Sequence, residues 1–348
     1  MPALSVVVVT HDHRQAVGAT LGGLASQLRD GDELIVVDNG STDGTVQAVR
    51  EAAPDATLIE AGENLGFPAA SNRGAALSSG ELLLFLNPDA VVAPGFRDAI
   101  ELPLSEQRGW AAWQGLVTAE NGGVINSRGG AVHFTGIAWA GGAGEPVEPA
   151  DRWAGWTGYA PVEPGFVSGA CLAVTAAEFE NAGGFAEPFF LYHEDVDLSL
   201  RLRLAGGRLG IETQARADHD YEFEKGPEKW RRLERNRWAT LIRTYPAPLL
   251  ALLAPALLAT ELALVPISIA GGWGRQKLAS WIDVLRWLPR LRRERREIQA
   301  TRRIDAKTFA RGLTPDLGSS YLGAAGRSRV LRAALRAYWS VVLALLPS

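Results

Sequence analysis

The chain has 348 residues, 47% of them hydrophobic, enough for one large domain of roughly 200–250 residues plus something more. Its single cysteine, Cys171, excludes an intramolecular disulfide and any multi-cysteine metal site, fits a reducing compartment, and in the apolar run GACLAV reads as a buried, inert thiol. The net charge of −4 hides two halves: residues 1–245 hold 19 Lys and Arg against 33 Asp and Glu (net −14), and residues 246–348 hold 16 against 6 (net +10).

The opening MPALSVVVVT has no basic leader and turns polar at once, so it reads as a first strand and not as a signal peptide. Residues 4–10 (LSVVVVT) suit a buried parallel strand. Val17, Leu21, Leu24 and Leu28 then recur at helical spacing. Residues 33–38 (ELIVVD) predict a second buried strand, and NGSTDGT supplies capping residues for a helix running to Pro54. Residues 57–60 form a short third strand, 64–80 a loop and a small-residue helix, and 81–86 (ELLLFL) a fourth strand ending in Asn87-Pro88-Asp89. Pro94 fits the first turn of the next helix.

This alternation predicts a parallel α/β sheet with its ligands at the C-terminal strand ends. Three polar sites fall there: Thr10-His11-Asp12, Asp38-Asn39 and Asn87-Pro88-Asp89. No G-x-G-x-x-G follows the first strand and no Gly-Lys pair exists, so phosphate has to be held by a metal or by loop amides. Aspartates at strand ends suit Mg²⁺ or Mn²⁺, which take oxygen ligands and bridge phosphates.

Residues 119–164 are rich in Gly and Trp and lack a helical period; they read either as a long loop or as one whose Trp139, Trp153, Trp156 and Tyr159 offer flat faces to sugar rings. Residues 166–175 predict a strand, and Thr175-Ala-Ala-Glu178 a capping box. The stretch 189–207, FFLYHEDVDLSLRLRLAGG, places Glu194, Asp195 and Asp197 after an apolar run, where a carboxyl group can become a proton acceptor near neutral pH. It reads equally as a helix start, with acids in the first turn, Arg201 and Arg203 in the last, and Asp197 paired with Arg201. The alternation of Val196, Leu198, Leu200, Leu202 and Leu204 is a strand pattern, but Leu and Arg are strong helix formers and Gly206-Gly207 is a stop, so a helix is predicted. Residues 208–213 predict one more strand, leading to Asp218-His219-Asp220, and 229–243 a helix. His219, between two aspartates, is either a surface histidine or a contact for metal or phosphate.

From Pro246 the character changes. Residues 249–269 are apolar except for Thr260, Glu261 and Ser268, close to the roughly 20 residues that span a bilayer. Pro255, Pro266 and Glu261 argue against a simple span and keep re-entrant, interfacial and core-buried helices open. Trp273, Trp281 and Trp287 precede residues 290–303, which hold seven Arg against two Glu, a mixture suited to an anionic membrane surface. No nucleic-acid motif accompanies these charges. Residues 328–347, with Arg329, Arg332 and Arg336 along one face, read as a second amphipathic membrane helix or a homodimer contact.

In order, VVVVTHDHRQ, ELIVVDNGSTDGT, ENLGFPAASNRG, LLLFLNPDA, GGFAEPFFLYHEDVDLSLRLRLAGG and the late DHDYEFEKG and LERNRW resemble family 2 glycosyltransferases, in particular bacterial rhamnosyltransferase-like members that build cell-envelope glycans. The likeness covers residues 4–245. It implies a GT-A fold, a Rossmann-like mixed sheet flanked by helices, over residues 1–245, with residues 246–348 as a helical membrane-associating region. It further implies inverting transfer from a nucleotide-diphosphate sugar (dTDP-rhamnose-like), with Mg²⁺ or Mn²⁺, to a lipid-linked or glycan acceptor at the cytoplasmic face of the bacterial membrane, whether peripheral, monotopic or membrane-spanning. Carried over by motif, Thr10, His11 and Asp38 line the nucleotide pocket, and Asn64, Gly66 and Asn72 lie near the base and phosphates. Asn87 stands where the family has the first acid of Asp-x-Asp, which leaves Asp89 as the main metal contact. Asp195 matches the catalytic base, with Glu194 and His193 tuning or orienting it, and His219 matches a late histidine that reaches metal or diphosphate. A sugar-1-phosphate nucleotidyltransferase and a catalytically degenerate, membrane-bound glycan-binding scaffold are the competing readings.

Overall fold

The computed structural model describes residues 3–147, 163–219, 226–318 and 328–347. Strands β1 (Leu4–Thr10), β2 (Glu33–Asp38), β3 (Thr57–Glu60) and β4 (Leu82–Leu86) pair in parallel in the order β3-β2-β1-β4. Helices α1 (Val17–Ala25), α2 (Thr45–Ala52) and α3 (Phe67–Ala75) follow the first three strands. All seven residues of β1 are buried, as a strand covered on both faces requires.

Beyond β4 the sheet is mixed, as the resemblance implies and in place of the parallel sheet that the strand alternation alone predicts. After β5 (Val91–Val92) and α4 (Phe96–Ser105), strand β6 (Trp110–Ala119) is followed by β7 (Val124–Ser127), which folds back on it antiparallel. Short strands β8 (Gly130–Val132) and β9 (Ala138–Ala140) follow. Strand β10 (Cys171–Thr175) then inserts antiparallel between β4 and β6. An antiparallel neighbour needs no crossover helix, and the stretch between β6 and β10 shows none among the described residues. After α5 (Ala176–Asn181) and α6 (Glu194–Leu204), β11 (Arg208–Asp218) runs parallel to β6 and antiparallel to β5. Pro94 precedes α4, whose N-cap is Gly95, instead of lying in its first turn. Of the stretch 119–164, read as irregular, β7, β8 and β9 are regular; Trp153, Trp156 and Tyr159 lie outside the described residues.

Alternate residues of β1 and β4 feed two cores. Val6, Val8, Leu84 and Leu86 pack with Leu21 of α1 and Trp113, while Val7, Leu83 and Phe85 pack with Phe179, Phe185, Leu198 and Leu202. Thr175 caps α5 by accepting the Glu178 amide at 3.2 Å, as its capping box predicts. Cys171 is fully buried, and burial pushes its thiol up to about 12.

Helix α6 settles the choice between helix and strand. Val196, Leu198, Leu200, Leu202 and Leu204 are all buried, but so are Asp197, Ser199 and Arg201 between them. A helix enclosed on every side shows no amphipathic period. Its polar groups are satisfied within the protein: the Ser199 hydroxyl accepts the Val167 amide at 3.1 Å, and Arg201 donates to Asp197 at 2.7 Å and to the Gly184 carbonyl at 2.8 Å.

Two compact units emerge from the contacts: residues within 1–130, 140–202 and 207–221, and residues within 131–139, 203–206 and 222–348. The second holds α7 (Glu228–Thr244), α8 (Ala247–Ala270), α9 (Gly274–Ala300), α10 (Ala306–Ala310) and α11 (Arg329–Leu345). So α7 groups with the C-terminal helices. Glu261, the acid inside the apolar stretch, receives Trp238 Nε1 at 3.1 Å, Trp281 Nε1 at 2.7 Å and Lys277 Nζ at 2.7 Å, and also pairs with Arg237. Glu234 binds the same two cations, Arg237 and Lys277. Burial pushes the Glu234 carboxyl up, but the two cations outweigh it and bring it to about 2. Helix α11 puts part of its apolar face on its own chain: Trp339 stacks on Phe134 at 5.0 Å and the Tyr338 hydroxyl donates to the Leu252 carbonyl.

Candidate active site

Two loops build one wall at the C-terminal edge of the parallel strands. Thr10 and Asp38 are paired in register at the ends of β1 and β2. The buried Asp38 carboxylate accepts the Thr10 hydroxyl and the Ser41 amide, each at 3.0 Å. Beyond the strands the loops zip together. Asp12 accepts the Thr42 amide at 2.8 Å, Asp43 accepts the Arg14 amide at 3.0 Å, and His11 Nδ1 lies 3.0 Å from the Asn39 carbonyl. An open pocket of about 420 Å³ results, with Asp12, His13, Arg14, Asp43 and Asp89 on its walls. Arg14 is exposed there.

The next loop is interlocked with the first. Asn39 donates to Asn64 Oδ1 at 3.1 Å and accepts the Leu65 amide at 2.8 Å; Asn64 also accepts the Gly66 amide at 2.9 Å. Gly66 has φ +83°, and a Cβ there would lie 2.4 Å from the Phe190 carbonyl oxygen, so only glycine fits. The Asn72 side chain is committed to protein: it donates to the Phe185 carbonyl at 3.0 Å and accepts the Phe185 amide at 2.9 Å.

Asp195 reaches this edge because β10 is antiparallel. Residues 168–170, which lead into β10, therefore lie beside the end of β4: the Asn87 amide donates to the Ala170 carbonyl at 3.1 Å. The Gly169 amide donates to Asp195 Oδ2 at 3.1 Å, and the Val196 amide to Oδ1 at 2.8 Å. The backbone leading to the acids is strained, with φ of 64°, 71° and 67° at Phe190, Tyr192 and His193. Left-handed non-glycine residues cost on the order of 1–3 kcal/mol each and cluster at functional sites. Glu194 is 7% exposed, and its Oε2 has no hydrogen-bond partner among the described residues. Burial, and then the neighbouring charge of Asp195, pushes Glu194 up to about 8. Burial also raises Asp195, against the amides of Gly169 and Val196, which favour its charged form. The two adjacent carboxyls are thereby separated, and the one with backbone donors is the one suited to be ionised.

Pairing of β5 with β11 brings His219 to Asp89. His219 Nε2 lies 3.1 Å from Asp89 Oδ1 and 3.3 Å from Asn87 Nδ2. Its backbone is held by the Thr118 carbonyl and the Asn126 side chain. Burial raises Asp89, but the hydrogen bond and charge of His219 outweigh it and hold the carboxyl below the usual range. A carboxylate facing an imidazole nitrogen is satisfied by a proton or by a shared cation, so the pair fits a divalent metal. Among the described residues no group of three or more His, Cys, Asp or Glu is arranged to hold one, so phosphate oxygens and water have to complete the shell. Asp218 is spent on the Thr118 hydroxyl and the Gly122 amide, both at 2.8 Å.

Residues 5–102 match the family model for glycosyl transferase family 2. Over 229 residues the chain is 32% identical to the N-acetylglucosaminyl-diphospho-decaprenol L-rhamnosyltransferase of Mycobacterium tuberculosis, covering 58% of this chain and 71% of that one. The chain belongs to glycosyl transferase family 2. The fold of this family 2 glycosyltransferase agrees with solved glycosyltransferases. It superposes on GalNAc-T7, solved with UDP, GalNAc and Mn²⁺, with a TM-score of 0.57 at 14% identity, covering 83% of this chain and 56% of that one. It superposes on a mannosyltransferase from Pyrobaculum calidifontis, solved with GDP-Man and Mn²⁺, with a TM-score of 0.51 at 21% identity, covering 99% and 86%. Membership sets aside the nucleotidyltransferase and scaffold readings.

The residues singled out by motif thus fall into three groups: Thr10, His11 and Asp38 with Asn64 and Gly66; Asn87, Asp89 and His219; and Glu194 with Asp195. Asn72 stands apart as a loop clamp. Sequence reasoning missed His13, Arg14 and Asp43 on the pocket wall and Gly169 beneath Asp195. The first three lie in the motifs THDHRQ and NGSTDGT, which marked the place if not the residues; Gly169 carries no local signal.

Proposed function

We propose that this family 2 glycosyltransferase moves a sugar, with inversion, from a nucleotide-diphosphate sugar of the dTDP-rhamnose kind to a lipid-linked or cell-envelope glycan acceptor at the cytoplasmic face of the bacterial membrane. The observation that carries it is Asp195: a carboxylate fixed by two backbone amides at the start of a buried helix, behind strained backbone, at the edge where the three strand-end loops converge. The similarity to a decaprenol-linked rhamnosyltransferase supports the lipid-linked acceptor and the donor class. By function we assign residues 1–245 to transfer and 246–348 to membrane association, although α7 packs with the latter.

In this reading Thr10, His11, Asp38 and the interlocked Asn39–Asn64 loops hold the nucleoside, and Gly66 lets the loop approach Phe190. Arg14 supplies a cation to the diphosphate from the exposed pocket wall. Asn72 positions the loop before the acids and does not touch the donor. Asp89 and His219, with Asn87 beside them, would hold Mg²⁺ or Mn²⁺, which neutralises charge on a departing diphosphate. Asp195 takes the proton of the acceptor hydroxyl as its oxygen attacks the anomeric carbon from the face opposite the diphosphate. Glu194, neutral at pH 7, leaves Asp195 as the one unpaired negative charge in the first turn, where Asp197 is paired with Arg201, and orients it.

Asp195→Asn keeps shape and loses basicity. Transfer is expected to fall about 10²–10⁴-fold, with the affinity for the donor unchanged. Turnover close to wild type would overturn the base assignment.

A further inference from the structure

Among the described residues one helix, α8, is long and apolar enough to cross a bilayer, with a mean hydropathy of 2.0 over an 18-residue window of which 11% is buried. Its two faces differ. Leu249, Leu253 and Leu257 are buried, and Glu261 continues the same four-residue spacing. On the other side Leu258, Leu262 and Ile269 are 62%, 65% and 69% exposed. Helix α9 carries a matching stripe, Leu278, Ile282 and Leu285, at 56%, 41% and 68%. From there α9 runs straight into exposed Arg286, Arg292, Arg293 and Arg296.

The Glu261 network decides how such a surface can meet lipid. Its carboxylate takes donors from both neighbours, Arg237 and Trp238 of α7 and Lys277 and Trp281 of α9. A crossing α8 would have to leave these partners, stranding an acid in hydrocarbon, or carry Arg237, Lys277 and Glu234 in with it. Both are expensive in a medium without water. Lying in the plane of the membrane breaks none of these bonds: the polar side stays on α7 and α9 while the exposed stripe enters the lipid. An apolar stripe next to a run of arginines complements an anionic leaflet.

We propose that α8 and α9 form a monotopic anchor, which dips Leu258, Leu262, Ile269, Leu278, Ile282 and Leu285 into one leaflet of an anionic bilayer and does not cross it. The proposal rests on the membrane-associated reading above and specifies its mode. The test uses the purified full chain and vesicles of phosphatidylcholine with or without phosphatidylglycerol. Wild type is expected to float with the anionic vesicles and much less with neutral ones. The triple variant Leu258→Gln, Leu262→Gln, Leu285→Gln is expected to lose flotation about tenfold while keeping its melting midpoint. Depth comes from fluorophores on Leu258→Cys, Leu262→Cys and Ile269→Cys; the native Cys171 is buried and does not label. Equal quenching depth at the three positions supports an in-plane helix. A helix along the bilayer normal would separate positions 258 and 269 by about 16 Å, and that gradient would overturn the proposal. Should wild type fail to float at all, the membrane reading itself falls. Flotation of the triple variant equal to wild type sinks the stripe alone. A lipid-free dimer that the triple variant dissolves would assign the stripe to a second copy.

Discussion

At the residue scale, two adjacent carboxyls sit in different surroundings, Asp195 with backbone donors and Glu194 buried. Glu194 in the folded chain holds its proton to about pH 8, whereas an unfolded glutamate releases it near pH 4.3. Between these values the folded state binds more protons, so this group's contribution to stability falls as pH rises across that window and is flat above it. Glu194→Gln removes the fall. Its unfolding free energy is expected to exceed that of wild type by on the order of 5 kcal/mol at alkaline pH, with the gap closing towards about pH 4; denaturant melts across pH measure it. A variant no more stable than wild type at alkaline pH would show that folded Glu194 gives up its proton near the unfolded value. At the other end of the site, His219→Ala removes one of the two groups proposed to hold the metal. Thermal shifts with a nucleoside diphosphate should then lose their Mn²⁺-dependent part and keep the metal-free part, since a ligand that binds only the native state raises the midpoint. An unchanged Mn²⁺ dependence would take His219 out of the metal site.

Among the elements, the loop before α3 and the turn before α6 are bound to each other. The Phe67 amide donates to the Phe190 carbonyl at 2.9 Å, and Gly66 lies against that same carbonyl. Gly66→Ala therefore strains both a backbone that, at φ +83° and ψ 162°, only glycine adopts readily and the segment that leads to Asp195. We expect a loss of about 1–3 kcal/mol of stability together with a lower kcat, because the damage reaches Asp195, the proposed base, through Phe190. A stable variant with normal kcat would uncouple the two loops. Helix α6 is itself held by Arg201, whose guanidinium ties Asp197 to the Ala182 and Gly184 carbonyls. Asn72 grips Phe185, the residue after this turn. The acids are thus presented by a buried helix clamped at both the Asn72 and the Arg201 side, a rigid mount for a proposed base.

For the whole molecule, the charge asymmetry separates the strand-rich part with the candidate site from a helical part that carries exposed apolar and basic surface. The change in character at Pro246 is not where the packing divides. Glu234 and Arg237 of α7 pair with each other and each takes a second partner, Lys277 and Glu261 respectively, so a chain ending at residue 245 keeps the pair but loses one partner of each charge. Losing partners of buried charges typically destabilises by about 3–5 kcal/mol, and α7 of such a truncation should melt well below the full chain or aggregate. Circular dichroism of the two chains tests this; equal midpoints would show that α7 stands without α8 and α9.

The sequence by itself determined what is local. The β-branched run of β1, the Thr175–Glu178 cap and the Asp197–Arg201 pair depend on residues a few positions apart and hold in the structure. The motif order sufficed for the family, because each motif is a loop at a strand end and the strands come in that order. Tertiary structure alone decided how those loops meet. Asp195 meets Gly169 across 26 residues because β10 runs antiparallel, and His219 meets Asn87 across 132 because β11 pairs with β5. Burial on all sides hid the helical period of α6, so its leucines looked like a strand. Glu261, which in the sequence interrupts an apolar stretch, is neutralised by side chains from two other helices. Pairing, burial and charge compensation belong to contacts between distant residues, and no window along the chain contains both partners.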